Sequence, residues 1–331
     1  MSSPRIWPEA DHPIYRIPAQ VAPWKDAMED AILRYAEEYG LVTDPAIRRH
    51  LTDSHHGELA ARAYVPAPPH RREVIARWFT WLFFIDDYYD GPIGRQEHGH
   101  HDIMAEMLAV MPLGPTRPPR AVRPLTMALQ DTWTALAEET TLSWRIRFYQ
   151  HIHQFVAMLH YESVSRARRR IPPFRYFEQI RPPASGTAPC LDLLEYAAGG
   201  EVPPLVYETA QFRTLHHAAV DVVAWINDAA SLHREHSIGD VNNGVLVVQH
   251  DQGCTLQQAV DLVHARIAGS VEKFQRAEHD LTRLCDQWPG LADAARTATE
   301  ECVRGMKRWM RGSLDWSRNT ARYMPVRTVR S

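Results

Sequence analysis

The chain has 331 residues, 45% of them hydrophobic, with 37 basic against 40 acidic side chains and a formal net charge of −3. That length buries a large core, and the near-neutral balance, with no aromatic residues interleaved among its few basic runs, excludes a nucleic-acid partner. Four cysteines (Cys190, Cys254, Cys285, Cys302) lack CxxC spacing and a disulfide framework, no apolar run approaches a membrane span, and Met1 to Pro8 lacks the apolar core of a signal peptide, so we expect a cytoplasmic protein with reduced thiols and no membrane insertion.

Residues 1–22 read as an extended arm. Helices are expected over 24–39, stopped by Gly40, then over 44–63, 70–90, 101–111 and 124–139, with proline-rich loops at Pro66–Pro69 and Pro112–Pro119. A long helix over 143–169 ends in Arg166 and Arg168-Arg169-Arg170, where cations complement the helix dipole. A broken pair follows at 174–181 and 187–198, then a helix over 205–235 and two or three more in 243–284 and 290–320. Val245-Leu246-Val247-Val248 is too short to establish a strand and is expected to begin a helix. No internal repeat or linker interrupts the series. The expectation is all-α: one domain, 1–331, folded as a single helical bundle.

Apolar residues at Ile75, Phe79, Leu82 and Phe83 follow helical spacing, and steps of three, four and seven from Phe83 reach Asp86, Asp87 and Asp90. The carboxylates thus continue the apolar stripe, whereas an ordinary amphipathic helix places acids opposite it. Gly91-Pro92 then ends the helix, leaving three acids at the negative end of its dipole. A hard cation resolves that conflict, and oxygen ligands of this kind suit Mg²⁺ held jointly with phosphate oxygens. Far along the chain, Asn227, Ser231 and Glu235 are spaced by four and again by four, behind Val220 and Val223 on the same face. An amide, a hydroxyl and one carboxylate hold a hard cation when a diphosphate brings the remaining charge.

With these residues in view, Asp86-Asp87-Tyr88-Tyr89-Asp90 resembles the aspartate-rich motif of the bacterial class I terpene synthases. Asn227-Asp228-x-x-Ser231-x-x-x-Glu235 resembles their second metal motif, and Gly239-Asp240 follows it as is usual there. Arg322-Tyr323 is similar to the family's terminal diphosphate-contacting pair, in a tail after about residue 320 that closes over the site. Arg234 stands where the family has a basic residue reaching diphosphate. Arg181 resembles a diphosphate-sensing arginine, 46 residues before Asn227, on a helix broken by Pro182-Pro183-Ala184-Ser185-Gly186. Two departures are visible: Pro182 replaces a frequent second arginine, and Ala184 a more polar residue. The resemblance leaves Ser185 and Gly186 both open as the group assisting ionisation.

The resemblance implies the class I terpenoid synthase fold and three Mg²⁺ ions, held by Asp86, Asp87, Asp90, Asn227, Ser231 and Glu235. Arg181, Arg234, Arg322 and Tyr323 would clamp the leaving diphosphate. It further implies a lyase, a terpene cyclase acting on a prenyl diphosphate, with farnesyl diphosphate cyclised to a sesquiterpene as the first expectation and geranylgeranyl diphosphate as the alternative. Phe83, one turn before Asp86, and Trp316, at a recurrent aromatic position of the family, are expected to face the pocket and stabilise cations through their rings. A homodimer is compatible with the sequence. Two rivals differ in class: a chain-elongating prenyltransferase, which would carry a second aspartate-rich motif, and a non-catalytic helical binding protein of the same fold. His98-Gly99-His100-His101-Asp102 reads as a solvated loop, and His151, His153, His216 and His217 fall on helices with no partner that spacing identifies.

Overall fold

A computed structural model describes residues 4–97, 101–114 and 118–323. Among them it contains helices and no strand. In chain order these are α1 (Lys25–Glu38), α2 (Pro45–Asp53), α3 (His56–Ala63), α4 (Pro69–Asp90), α5 (His101–Ala109), α6 (Pro124–Glu139), α7 (Leu142–Ala167), α8 (Phe174–Ala184), α9 (Thr187–Ala198), α10 (Pro204–Tyr207), α11 (Ala210–Ser237), α12 (Gly244–Gln252), α13 (Leu256–Gln287) and α14 (Asp293–Asn319). His98-Gly99-His100 and the tail beyond Tyr323 lie outside the described residues. His101 and Asp102 open α5, so this part of the expected loop is helical.

Local chemistry sets many boundaries. Thr141, Thr209 and Thr255 cap α7, α11 and α13 by accepting from backbone N–H groups of the first turn. Proline opens α2, α4, α6 and α10, where its missing donor costs nothing. Helices α4 and α11 are buried on most of their circumference, as helices at the centre of a bundle must be. α4 packs on α1 and α6, α11 on α13 and α14, and α14 also on α3 and α9. The C-terminal ends of α4 and α11 carry the two acidic motifs.

Three expected helices divide differently. Residues 44–63 form two helices, with His55 at φ +50° between them. The Ser54 carbonyl there accepts from Trp316 Nε1 (2.9 Å) and Thr320 Oγ1 (2.7 Å), contacts that no local pattern reveals. Residues 205–235 split at Glu208-Thr209 into α10 and α11. α8 runs through Pro182-Pro183 to Ala184 and is broken only by Gly186, at φ +64°. Proline's fixed φ is helical, and although it removes donors, Ser185 N closes the turn onto Arg181 O at 3.1 Å.

Candidate active site

The two motif-bearing helix ends face one cavity of about 120 Å³. Asp86, Asp90, Asn227, Glu235, Arg181, Arg234 and Tyr323 line it, as do Ser185 and Gly186. Ser231 is fully buried beside it, donating to the Asn227 carbonyl at 2.8 Å. Asp87 lies on the far side of the α4 end, toward His50 (3.3 Å). One carboxylate oxygen from each of Asp86, Asp87 and Asp90 falls within 4.8 Å of the others.

Each expected diphosphate-binding arginine meets an expected metal ligand or its neighbour. Arg322, buried, reaches Asp86 Oδ2 at 2.6 Å and Asp87 Oδ1 at 2.9 Å. Arg234 reaches Asp90 Oδ2 at 2.9 Å. Arg181 holds both Asp228 oxygens at 3.0 Å through Nε and the Asn227 amide oxygen at 2.8 Å through Nη2. The Tyr323 hydroxyl accepts from Asn227 Nδ2 at 2.8 Å. Residues 322 and 323 thereby bridge the two motifs, one to α4 and one to α11.

The remaining partners were not found from the sequence. Arg166, expected only as a cation complementing the dipole at a helix end, has a buried side chain that pairs with Asp240 (2.7 Å), Glu162 (3.3 Å) and Asp90 (3.7 Å). A signal existed: Phe155, Leu159, Glu162 and Arg166 follow steps of four, three and four, so charge continues an apolar stripe on α7 as it does on α4. Asn243 caps α12 through its Oδ1, while its Nδ2 donates to Asp228 O (2.7 Å) and Glu235 Oε2 (2.9 Å). An asparagine before a helix announces the cap; the second role depends on where the chain returns after α11.

The electrostatics follow from this arrangement. Seven carboxylates (Asp86, Asp87, Asp90, Glu162, Asp228, Glu235, Asp240) meet four guanidinium groups (Arg166, Arg181, Arg234, Arg322). Glu235 accepts from an amide and, among the described residues, has no arginine ion pair of its own; burial, then Asp240, Asp228 and Asp90, push it up to about 8. Asp86 is raised by burial and by Asp90, against the pull of Arg322. Asp87 is also desolvated, but Arg322 and His50 outweigh burial and hold it below the usual carboxylate range. An excess of oxygen anions, with one acid held protonated for want of a cation, is the donor set a hard divalent ion fits.

Phe83 and Trp316 both line the cavity, with ring centroids 5.8 Å apart. Phe83 stacks on the buried His56 at 3.5 Å, and the Arg322 guanidinium sits 5.1 Å from its ring centre. Leu59, Leu82, Phe155, Val223 and Trp309 complete an apolar wall. The Ser185 hydroxyl donates to Pro182 O (2.7 Å) and joins Thr187 Oγ1 (2.9 Å), tying α8 to α9. A Cβ on Gly186 would stand 3.1 Å from Leu82 Cδ1 and 3.3 Å from Phe155 Cε2.

Residues 77–273 match the family model described as terpene synthase family 2, C-terminal metal binding. The chain is 32% identical to a (+)-T-muurolol synthase, described as (2E,6E)-farnesyl diphosphate cyclizing, from Roseiflexus castenholzii, over 95% of this chain and 93% of that protein. It is 29% identical to pristinol synthase of Streptomyces pristinaespiralis, over 92% of this chain and 82% of that one. Among solved structures, a cucumene synthase variant superposes with a TM-score of 0.80 at 26% identity, covering 92% of this chain and 98% of that one.

Proposed function

We infer the reaction from one premise: the chain belongs to terpene synthase family 2. It is a terpene synthase, a carbon–oxygen lyase with a divalent-metal site. We propose that the whole chain, 1–331, is one cytoplasmic catalytic domain that uses Mg²⁺, three ions per site, to convert farnesyl diphosphate to a sesquiterpene. The observation that carries this is the convergence of both acidic motifs and three arginines (Arg166, Arg181, Arg234) on one cavity with an apolar wall, with Arg322 seated on Asp86 beside it. The names of the relatives support the fifteen-carbon substrate.

Asp86, Asp87 and Asp90 would hold metal on one side, and Asn227, Ser231 and Glu235 on the other. Bound metal supplies Lewis-acid neutralisation of the departing diphosphate. The chain's own residues do the rest. Arg322 and Arg234 exchange their aspartate partners for diphosphate oxygens, so positive charge is aimed in advance at the charge that develops. Arg181, fixed by Asp228, presents its guanidinium beside Asn227. Tyr323 tethers the terminal segment to Asn227 and helps exclude water. Ser185 and Gly186 remain joint candidates for assisting ionisation at the α8–α9 break. Phe83 and Trp316 offer ring faces that stabilise a cation without trapping it.

The direct test is incubation with Mg²⁺ and, separately, geranyl, farnesyl and geranylgeranyl diphosphate, with extracts read by gas chromatography–mass spectrometry. A fifteen-carbon product from the farnesyl substrate, lost on adding chelator, is expected. A product from the twenty-carbon substrate alone would replace the sesquiterpene assignment, and none from any substrate would favour a binding protein. Trp316→Leu is expected to change the product mixture more than the rate.

A further inference from the structure

Three histidine and acid side chains outside the catalytic cavity meet beneath its floor. His151 on α7, Asp192 on α9 and His216 on α11 each offer one ligand atom, a ring nitrogen or a carboxylate oxygen, and these atoms lie within 4.8 Å of one another. His151 Nδ1 is 2.6 Å from Asp192 Oδ2, and the His151 and His216 rings are nearly parallel with centroids 5.2 Å apart. His216 is 6% exposed and Asp192 1%. Burying a polar atom without a partner is costly, yet His216 Nε2 is buried with no hydrogen-bond partner among the described residues. A hydrogen-bonded His–Asp pair would account for two of the three groups and leave that nitrogen unexplained.

We propose that His151, Asp192 and His216 form a binding site for a structural divalent transition metal of the zinc type, separate from the metal site of catalysis. Two imidazoles and one carboxylate are ligands that suit such an ion and suit Mg²⁺ poorly. Tetrahedral ligands at about 2.0–2.2 Å from zinc stand about 3.3–3.6 Å apart, so His151 Nδ1 and Asp192 Oδ2, now 2.6 Å apart, open by about 0.7–1 Å to admit the ion while the His216 nitrogen closes on it from within 4.8 Å. The metal takes the place of the proton shared by His151 and Asp192. A supporting shell is already built: Tyr207 OH stands 3.5 Å from Asp192 Oδ1, and Trp144 Nε1 donates to the Asp192 carbonyl at 3.1 Å. The nearby Arg147 guanidinium is neutralised by Glu195 at 2.6 Å. His151 keeps an 18% exposed side chain, which gives the ion a way in.

The position suggests what the ion does. Phe155, Cys190 and Val223 line the catalytic cavity from the same three helices, four, two and seven residues from the respective ligands. His216 lies eleven residues before Asn227, about 16 Å along α11. A metal here pins α7, α9 and α11 to one another and fixes the depth of the cavity without touching the diphosphate end.

The test uses untagged full-length protein, equilibrated with zinc in Mg²⁺-containing buffer, dialysed, and analysed for metal. Wild type and Asp86→Asn are expected to retain about one equivalent of zinc, and His151→Gln and His216→Gln to bind at least about tenfold more weakly. Zinc should also raise the melting temperature of wild type and not that of His216→Gln. If His216→Gln fails to fold, His151→Gln and the visible spectrum of the wild-type cobalt form decide: intense bands mark a four-coordinate site with nitrogen ligands, weak ones an octahedral oxygen site. No zinc retained by wild type, or zinc lost from Asp86→Asn and kept by the histidine variants, would overturn the proposal.

Discussion

Arg322 pairs with two carboxylates at once, Asp86 at 2.6 Å and Asp87 at 2.9 Å, so in the proposed reaction it would compete with metal for them as well as serve diphosphate. Arg322→Gln should therefore leave Mg²⁺ binding alone unchanged or tighter in calorimetry, weaken diphosphate binding, and lower turnover about 10²–10³-fold. Weaker metal binding without diphosphate would count against this role. Glu235 gives a second test through pH. Its pKa rises from 4.5 to about 8 on folding, so the folded protein keeps a proton that the unfolded chain releases. That contribution to stability is whole below about pH 4.5, falls as pH climbs through the window, and is gone above about 8. Glu162, raised to about 7, adds to the same slope. Above about pH 6.5, where the buried His56 and His216 are neutral in both folded and unfolded states and add no opposing slope, the melting temperature of the metal-free protein should thus fall up to pH 8.5, and less steeply in Glu235→Gln or with Mg²⁺ and diphosphate bound; identical slopes would refute the assignment. Glu235→Gln and Asp86→Asn should each abolish turnover with little change of fold. These acids were legible in the sequence because charge extending an apolar helical stripe violates the usual pattern. Asn243 was not, since its contact with Glu235 is made only once the chain turns back after α11.

At the level of elements, the α8–α9 junction carries the greatest constraint. The prolines marked the place, but the glycine makes the break: Gly186 adopts φ +64° and presses against Leu82 and Phe155. Gly186→Ala should cost about 1–2 kcal/mol from the left-handed backbone alone, a fall in melting temperature of several degrees, and should depress turnover because α8 holds Arg181 and α9 begins the cavity floor. Full stability and activity in this variant would show that the junction relaxes freely. Most helix spans were readable, because Thr and Asn caps, opening prolines and closing glycines are local signals. The α2–α3 break was not, as it depends on the Ser54 carbonyl receiving Trp316 and Thr320 from the far end of the chain. The N-terminal stretch was read as an extended arm, whereas Pro13–Arg16 forms a short 3-10 helix; its docking, through Ile14 in the core and His12 against the His264 carbonyl, has no sequence signature.

Over the whole molecule, α4 and α11 end at one cavity from opposite sides, and among the described residues the last three, Ala321 to Tyr323, cross between them. Ala321 N donates to Asp53 O, Arg322 sits on the aspartate motif, and Tyr323 meets Asn227. The segment is thus a strap whose two anchors are the groups that would exchange partners, in the proposed reaction, when metal and diphosphate enter. Ligands that bind the folded state stabilise it, by about 2.7 kcal/mol at a hundred times the dissociation constant, so Mg²⁺ with diphosphate should raise the melting temperature of the full chain. Two shortened chains separate the strap's contribution from that of the residues after Tyr323. One ending at Tyr323 should keep the shift, and one ending at Thr320 should lose most of it while retaining its helical circular dichroism. If both lose it, binding needs the residues after Tyr323 and the strap alone does not suffice. If both keep it, binding is complete on the helix ends, and Arg322 and Tyr323 act later, in shielding the cation from water. In that case the shorter chain should give more acyclic alcohol at the expense of cyclised hydrocarbon.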